Sequence, residues 1–296
     1  MYDFTPGQIR ILRNAIQSIP DSVLCVPLKE ELIEDIPEIW QFYVHRTVNN
    51  KPMLIENEAQ VIVKVMMLEL ALFSIQVACG NGTDSLVFSS LLCSIANSIA
   101  AIEQLATTGF DFQAYALMRT LIEQYMVLIT LTLCPEKRKE YCKSEEDDVA
   151  RQFWHENFTV KRFIRLLTAY KPDPNGMIDK HIKDVYSRLS LFAHNSFWRN
   201  FSRTYIQTED GSGVKLNQFG EYVSRTEQIL EDMVYDIWPF HLLFFTMLRD
   251  EKIDMSYESF ANEKNSPFFM SLLKRCHLVE RVLASRLFTE QRKHAE

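Results

Sequence analysis

The chain has 296 residues, 47% of them hydrophobic, and a formal net charge of −7. At about 100–200 residues per domain this is one large or two small domains, and the acidic balance argues against a general, sequence-independent nucleic-acid binder. Only 8 glycines and 10 prolines occur, so turns are scarce and long helices are expected instead of a turn-rich β fold.

The first helix is predicted from Pro6, with Thr5 as N-cap, Pro6 at the first helical position and Gln8 completing a capping box; Pro20 lies beyond its end. "LKEELIEDIPEIWQFYVHRTV" reads as a second, amphipathic helix kinked before Pro37. A third runs from about Glu56 to Ala78 and stops at "CGNGTD"; a fourth, capped by Thr83 or Asp84, runs to about Thr108. After "TGFDFQ" a fifth covers Phe112 to Leu133, where Pro135 forbids direct continuation. "EKRKEYCKSEEDD" reads as a short helix and turn, "DVARQFWHENFTVKRFIRLLTAY" as one helix ended by "KPDPNG", and "YSRLSLFAHNSF" as part of the next. The segment 203–217, with Asp210-Gly211 at its centre, is expected to be a small hairpin or loop. A helix from about Phe219 to Arg249, bent at Pro239, and one or two more from about Ser256 complete the chain. The expected fold is therefore an all-α bundle of about eight to ten helices. Residues 1–55 would form a helical extension to a bundle spanning 56–296.

The six cysteines form no C-x-x-C pair, as expected of free thiols in a reducing cytoplasm. "MYDFTPGQIR" carries no signal-peptide pattern. Two stretches, 85–109 and 113–134, are long enough to span a bilayer. One contains Glu103 and the other Arg119 and Glu123, and a charge at mid-membrane costs about 2.5–3.5 kcal/mol. Both are read as central helices of a soluble protein, with no membrane partner.

Those same charges are the candidate binding residues. Glu123 follows Arg119 by four positions, so the two share a helix face and are expected to pair. Glu103, near the shared turn of the helical hairpin, is placed within plausible reach of Arg119. If the pair is deeply buried, loss of one partner costs about 3–5 kcal/mol. The network reads first as a salt bridge fixing helix register, and otherwise as the lining of a polar pocket.

Arg188 and His194 lie about 120° apart on their helix with a rise of about 9 Å. Val185, Leu189 and Phe192 make the core-facing stripe; Ser187, Ser190 and His194 make another, with Asn195 just beyond. Histidine acts as acid or base near neutral pH and arginine suits phosphate oxygens, a combination fitting metal-free phosphodiester cleavage. Between Val160 and Tyr205 there are nine Lys/Arg against three Asp. That excess fits either an anionic ligand or an ordinary solvated face. No metal or cofactor is expected. "FWHENFTV" is not H-E-x-x-H, His241 and His277 stand isolated in sequence, and no two core helices carry Glu-x-x-His.

"AYALMRTLIEQYMVLITL" followed by "YSRLSLFAHNS" resembles the HEPN superfamily of small all-α bundles. More closely, it is similar to an HEPN-like bacterial family that pairs an ALxRxxxE helix with a YxxLSxxxH helix. The resemblance covers about residues 85–250. It implies a metal-independent endoribonuclease of antiphage-defence or toxin systems, working as a homodimer on RNA, with His194 moving the proton and Arg188 stabilising the phosphorane. Leu189, directly after the arginine, departs from the polar residue that active members often carry. A non-catalytic helical binding or regulatory module with a degenerate site, partnering another protein or a nucleotide, is the alternative. A third reading is a small-ligand pocket using Glu103, Arg119 and Glu123.

Overall fold

A computed structural model of the chain describes residues 4–44, 57–80, 82–143, 147–173, 175–193, 205–207, 213–216, 225–250 and 267–295. The elements are α1 (Pro6–Gln17), α2 (Val26–Val44), α3 (Glu58–Ala78), α4 (Thr83–Thr107), α5 (Asp111–Leu133), α6 (Pro135–Lys143), α7 (Asp147–Asn157), α8 (Val160–Tyr170), α9 (Met177–Ala193), β1 (Tyr205–Gln207), β2 (Val214–Leu216), α10 (Arg225–Met247) and α11 (Pro267–Ala295). The fold is an all-α bundle. The two short strands pair antiparallel, Tyr205 opposite Leu216, as the small hairpin expected within 203–217.

Local signals in the sequence set most boundaries. In α1, Thr5 Oγ1 accepts from the Gln8 amide at 3.2 Å, and Gln8 Oε1 accepts from the Thr5 amide at 3.0 Å. The turn between α4 and α5 is a Schellman motif. Gly109 N–H donates to Ala106, Phe110 N–H donates to Leu105, and Gly109 has φ +80°, a conformation that glycine adopts without the Cβ penalty. Pro135 does not merely stop α5: it sits at the first position of α6, where a missing N–H costs nothing. Pro239 lies inside α10 as expected.

One predicted helix is two. The segment expected to run continuously to Tyr170 breaks at Phe158-Thr159, between α7 and α8. Thr159 is extended (φ −68°, ψ 146°), and Phe158 turns inward to pack its ring against Tyr141, Phe153 and Trp154. Burial of one aromatic ring outweighs the local helical preference of the segment.

The predicted hairpin of α4 and α5 is present, but α3 is the most enclosed helix, packed by α1, α2, α4, α10 and α11. It is apolar around most of its circumference, the pattern of a largely enclosed helix, and reaches solvent near its C-terminal end at Ile75 and Ala78. The α9 stripe of Val185, Leu189 and Phe192 is buried as predicted, and Phe192 stacks on Tyr115 of α5 at 4.5 Å between ring centroids. The cores of α1 and α2 belong to the same hydrophobic cluster as the rest. Three helices, α3, α4 and α5, are long and apolar enough to cross a membrane. In α3, 83% of the apolar window is buried by the chain itself.

Candidate functional site

The two motif helices meet. Arg119 and Glu123 are an ion pair at 3.3 Å on α5. Tyr186 of α9 stands between them: its hydroxyl accepts from Arg119 Nη2 at 3.0 Å and donates to Glu123 Oε1 at 2.8 Å. Arg119 also lies over the Tyr186 ring. Burial raises the Tyr186 pKa, so the hydroxyl keeps the proton that it donates. The expected pairing is present, but at shallower depth than a deeply buried pair. The two side chains are 21% and 23% exposed, so water screens them and loss of one partner falls below the range for a deeply buried pair. One turn along α9, Ser190 turns its hydroxyl back onto the Tyr186 carbonyl at 2.7 Å. His194 and Asn195 lie outside the described residues.

Arg188 points to another neighbour. Its guanidinium is hydrogen-bonded to Asp236 and stands 4.0 Å from Asp232, both on α10, and Asp232 in turn accepts from the Tyr115 hydroxyl. Burial pushes the Asp236 carboxyl up to about 6, against the opposing pull of Arg188. His181, earlier on α9, feels the same pair; burial first, and Arg188 too, hold its imidazole below the ordinary range.

This arrangement gives a titration. With a folded pKa raised above the ordinary value near 4, Asp236 takes up a proton on folding. Its contribution favours the folded state most below about pH 4 and is lost as the pH rises through about 6. Carboxyl-detected NMR is expected to place the Asp236 midpoint near 6, and Arg188→Ala should move it higher because the lowering charge is gone. A midpoint near 4 in the wild type would show that Asp236 is solvated.

Glu103 does not join Arg119. It is fully buried and faces α3, where Gln60 Nε2 donates to its Oε1 at 2.7 Å and Lys64 supplies the nearby positive charge. Burial raises its pKa, opposed by Lys64 and Gln60. Gln60 accepts from the Gln8 side-chain amide, and Lys64 Nζ donates to Gln8 Oε1 at 3.1 Å. Glu103 is near the turn it shares with α5, but the rotation of α4 about its axis turns the side chain to α3.

A second buried polar cluster joins α3, α10 and α11. His241 of α10 and His277 of α11 are not isolated. Glu69 of α3 and Glu280 of α11 lie between them. His241 Nε2 is 3.0 Å from Glu69 Oε2 and 3.0 Å from Glu280 Oε2. His277 Nδ1 is 3.2 Å from Glu69 Oε1 and 3.0 Å from Glu280 Oε1. Each carboxylate therefore spans both imidazoles. His241 Nδ1 shares a proton with the Tyr125 hydroxyl at 2.8 Å, and burial drives that phenol up to about 12. In α3 and α10 an apolar stretch is interrupted by one side chain of this cluster, Glu69 and His241 respectively, and α11 supplies two. In α11 the spacing of three puts His277 and Glu280 on one face.

The outer surface of α8 and α9 carries exposed Lys161, Arg162, Arg165, Lys180 and Lys183. Neither a family model, nor a curated protein, nor a solved structure matches the chain.

Proposed function

We propose that this protein is an HEPN-like helical module that binds a phosphate-bearing ligand, RNA foremost, on the face built by α5, α8 and α9. The observation that carries the reading is the Arg119–Tyr186–Glu123 network, which unites the side chains of the two motifs from separate helices. It is partly open to solvent, and one of its two helices, α9, carries exposed Lys180 and Lys183 beside the exposed Lys161, Arg162 and Arg165 of α8, so a polyanion meets favourable charge on approach.

Binding is favoured over cleavage by one contact. A catalytic Arg188 would offer its guanidinium to a pentavalent phosphorus; here it is engaged by Asp236 and Asp232, which neutralise the charge such a transition state needs. Metal-independent cleavage by Arg188 and His194 in a homodimer is the second reading, supported by the HEPN resemblance. Both readings take the protein to be soluble and cytoplasmic. The cover that neighbouring helices give α3 supports solubility, as do the polar or small Ser90, Cys93, Ser94 and Asn97 exposed on α4 beside Leu86.

Fluorescence anisotropy with short single-stranded and structured RNAs tests the reading. Wild type is expected to bind with an affinity that falls with salt, and Lys161→Glu with Arg165→Glu to weaken it by on the order of tenfold or more. Tyr186→Phe, which breaks the bridge and leaves the packing, should weaken it further. An RNA substrate cut in the presence of chelator, its DNA analogue left intact, and the cut lost in Arg188→Ala would select the catalytic reading. Wild type that neither binds nor cuts any RNA at low salt refutes both.

A further inference from the structure

We propose that Glu69, His241, His277 and Glu280 hold a divalent transition-metal ion in the core of the bundle. The site is separate from the α5–α9 face and stands independently of the function proposed for it.

The geometry is the first argument. One ligand-type atom from each of the four residues lies within 4.8 Å of the other three, and the imidazole–carboxylate separations are 3.0–3.2 Å. Ligands at the usual 2.0–2.2 Å from zinc stand about 3.3–3.6 Å apart in a tetrahedron. Adjacent ligands of a six-coordinate ion come closer still. The imidazole–carboxylate separations match adjacent positions of a coordination shell, with a carboxylate between the imidazoles on either side, and the 4.8 Å span of the four atoms closes slightly on the ion.

The second argument is unmet hydrogen bonding. All four residues are buried, where nearly every polar atom normally has a partner. Yet Glu69 Oε1, both oxygens of Glu280 and Nδ1 of His277 have no partner in hydrogen-bonding geometry. They approach one another at ion-pair distance. A cation among them satisfies these atoms at once, because coordination uses lone pairs and needs no donor hydrogen.

Third, the surroundings orient the ligands. Tyr125, fully buried on α5, meets Nδ1 of His241 at 2.8 Å. With the Nδ1 proton donated to the tyrosine oxygen, the Nε2 lone pair faces Glu69 and Glu280, the outer-shell arrangement typical of metal-bound histidine. The ligands sit on α3, α10 and α11, three packed helices, so the shell is held by rigid elements.

The donor set names the class of ion. Two imidazoles and two carboxylates, with no thiolate among the convergent atoms, suit borderline divalent ions such as zinc, iron(II), manganese(II) or cobalt(II). They suit copper(I) poorly, and the nitrogen donors disfavour calcium and magnesium. Two carboxylates balance the charge of one such ion, so the loaded core is neutral.

The test uses the full chain. Purified protein is stripped by unfolding in chelator, refolded, and titrated separately with cobalt(II), zinc(II), manganese(II) and, without air, iron(II). At least one ion is expected to bind at about one per chain and to raise the thermal midpoint. Cobalt(II) should give visible d–d bands without a thiolate charge-transfer band. Glu280→Gln, which keeps the volume and removes the charge, should weaken binding by at least about tenfold. Wild type whose thermal midpoint and cobalt spectrum do not respond to saturating metal overturns the proposal with no variant needed. Undiminished binding by Glu280→Gln places any bound ion elsewhere and overturns it equally.

Discussion

Replacement of Glu103 by alanine is expected to destabilise the bundle by about 3–5 kcal/mol, because it removes the buried carboxylate that accepts from Gln60 and whose charge acts on Lys64. Lys64 and Glu103 are 1% and 2% exposed, so water does little to relieve the loss. For a chain of this size the thermal midpoint should drop on the order of 5–15 °C. Glu103→Gln keeps the hydrogen bond from Gln60 and should cost less than alanine. The double change Lys64→Met, Glu103→Leu removes both charges and should recover much of the loss, as apolar replacements of buried ion pairs often do. Urea unfolding of the four proteins decides it. Equal midpoints for wild type and Glu103→Ala would mean that water reaches the site.

Arg138 is the second large effect. It is buried, and its guanidinium ties the end of one core helix to the start of another. Nε donates to the Leu131 carbonyl at 2.7 Å and Nη2 to that of Thr132 at 3.2 Å, while Nη1 pairs with Asp84 at 3.0 Å. The carbonyls belong to the last turn of α5, where no backbone N–H follows to satisfy them. Arg138→Met should leave both unpaired at a cost of about 2–4 kcal/mol. Arg138→Lys should recover only part, since an ammonium cannot reach three acceptors in the guanidinium's forked plane. Differential scanning calorimetry that found methionine as stable as arginine would show that water caps α5 as well as Arg138 does.

What could be read from the sequence follows the range of each interaction. The capping box at Thr5, the Gly109 turn, the 205–216 hairpin and the buried stripe of α9 are encoded within a few residues, and all were legible. So was the ion pair of Arg119 and Glu123, one helical turn apart. Tyr186, 63 positions from Glu123, appeared only as part of a motif. Glu103 was assigned to the wrong neighbour because distance from a turn does not give helix rotation. The buried quartet was missed for a different reason. Glu69 and Lys64 are lone charges in an apolar helix, the same signal that singled out Glu103, Arg119 and Glu123, and applied to α3 it would have flagged both. His277 and Glu280 show their shared face in the sequence, but nothing there brings Glu69 and His241 to the same point. Their convergence is a property of how α3, α10 and α11 pack.

Gln8 gives the amino-terminal helix a role beyond that of an appendage. Its side chain closes the capping box of α1 and also bonds Gln60 and Lys64 of α3. The end of α1 therefore cannot fray without breaking contacts of the central helix. In hydrogen–deuterium exchange, the first amides of a surface helix normally exchange through cheap local opening. Here the Gln8 amide, which donates to Thr5, should be protected to a degree approaching that of α3, and Gln8→Ala should release α1 as a separate, faster-exchanging unit. That contact makes α1 a part of the cooperative core.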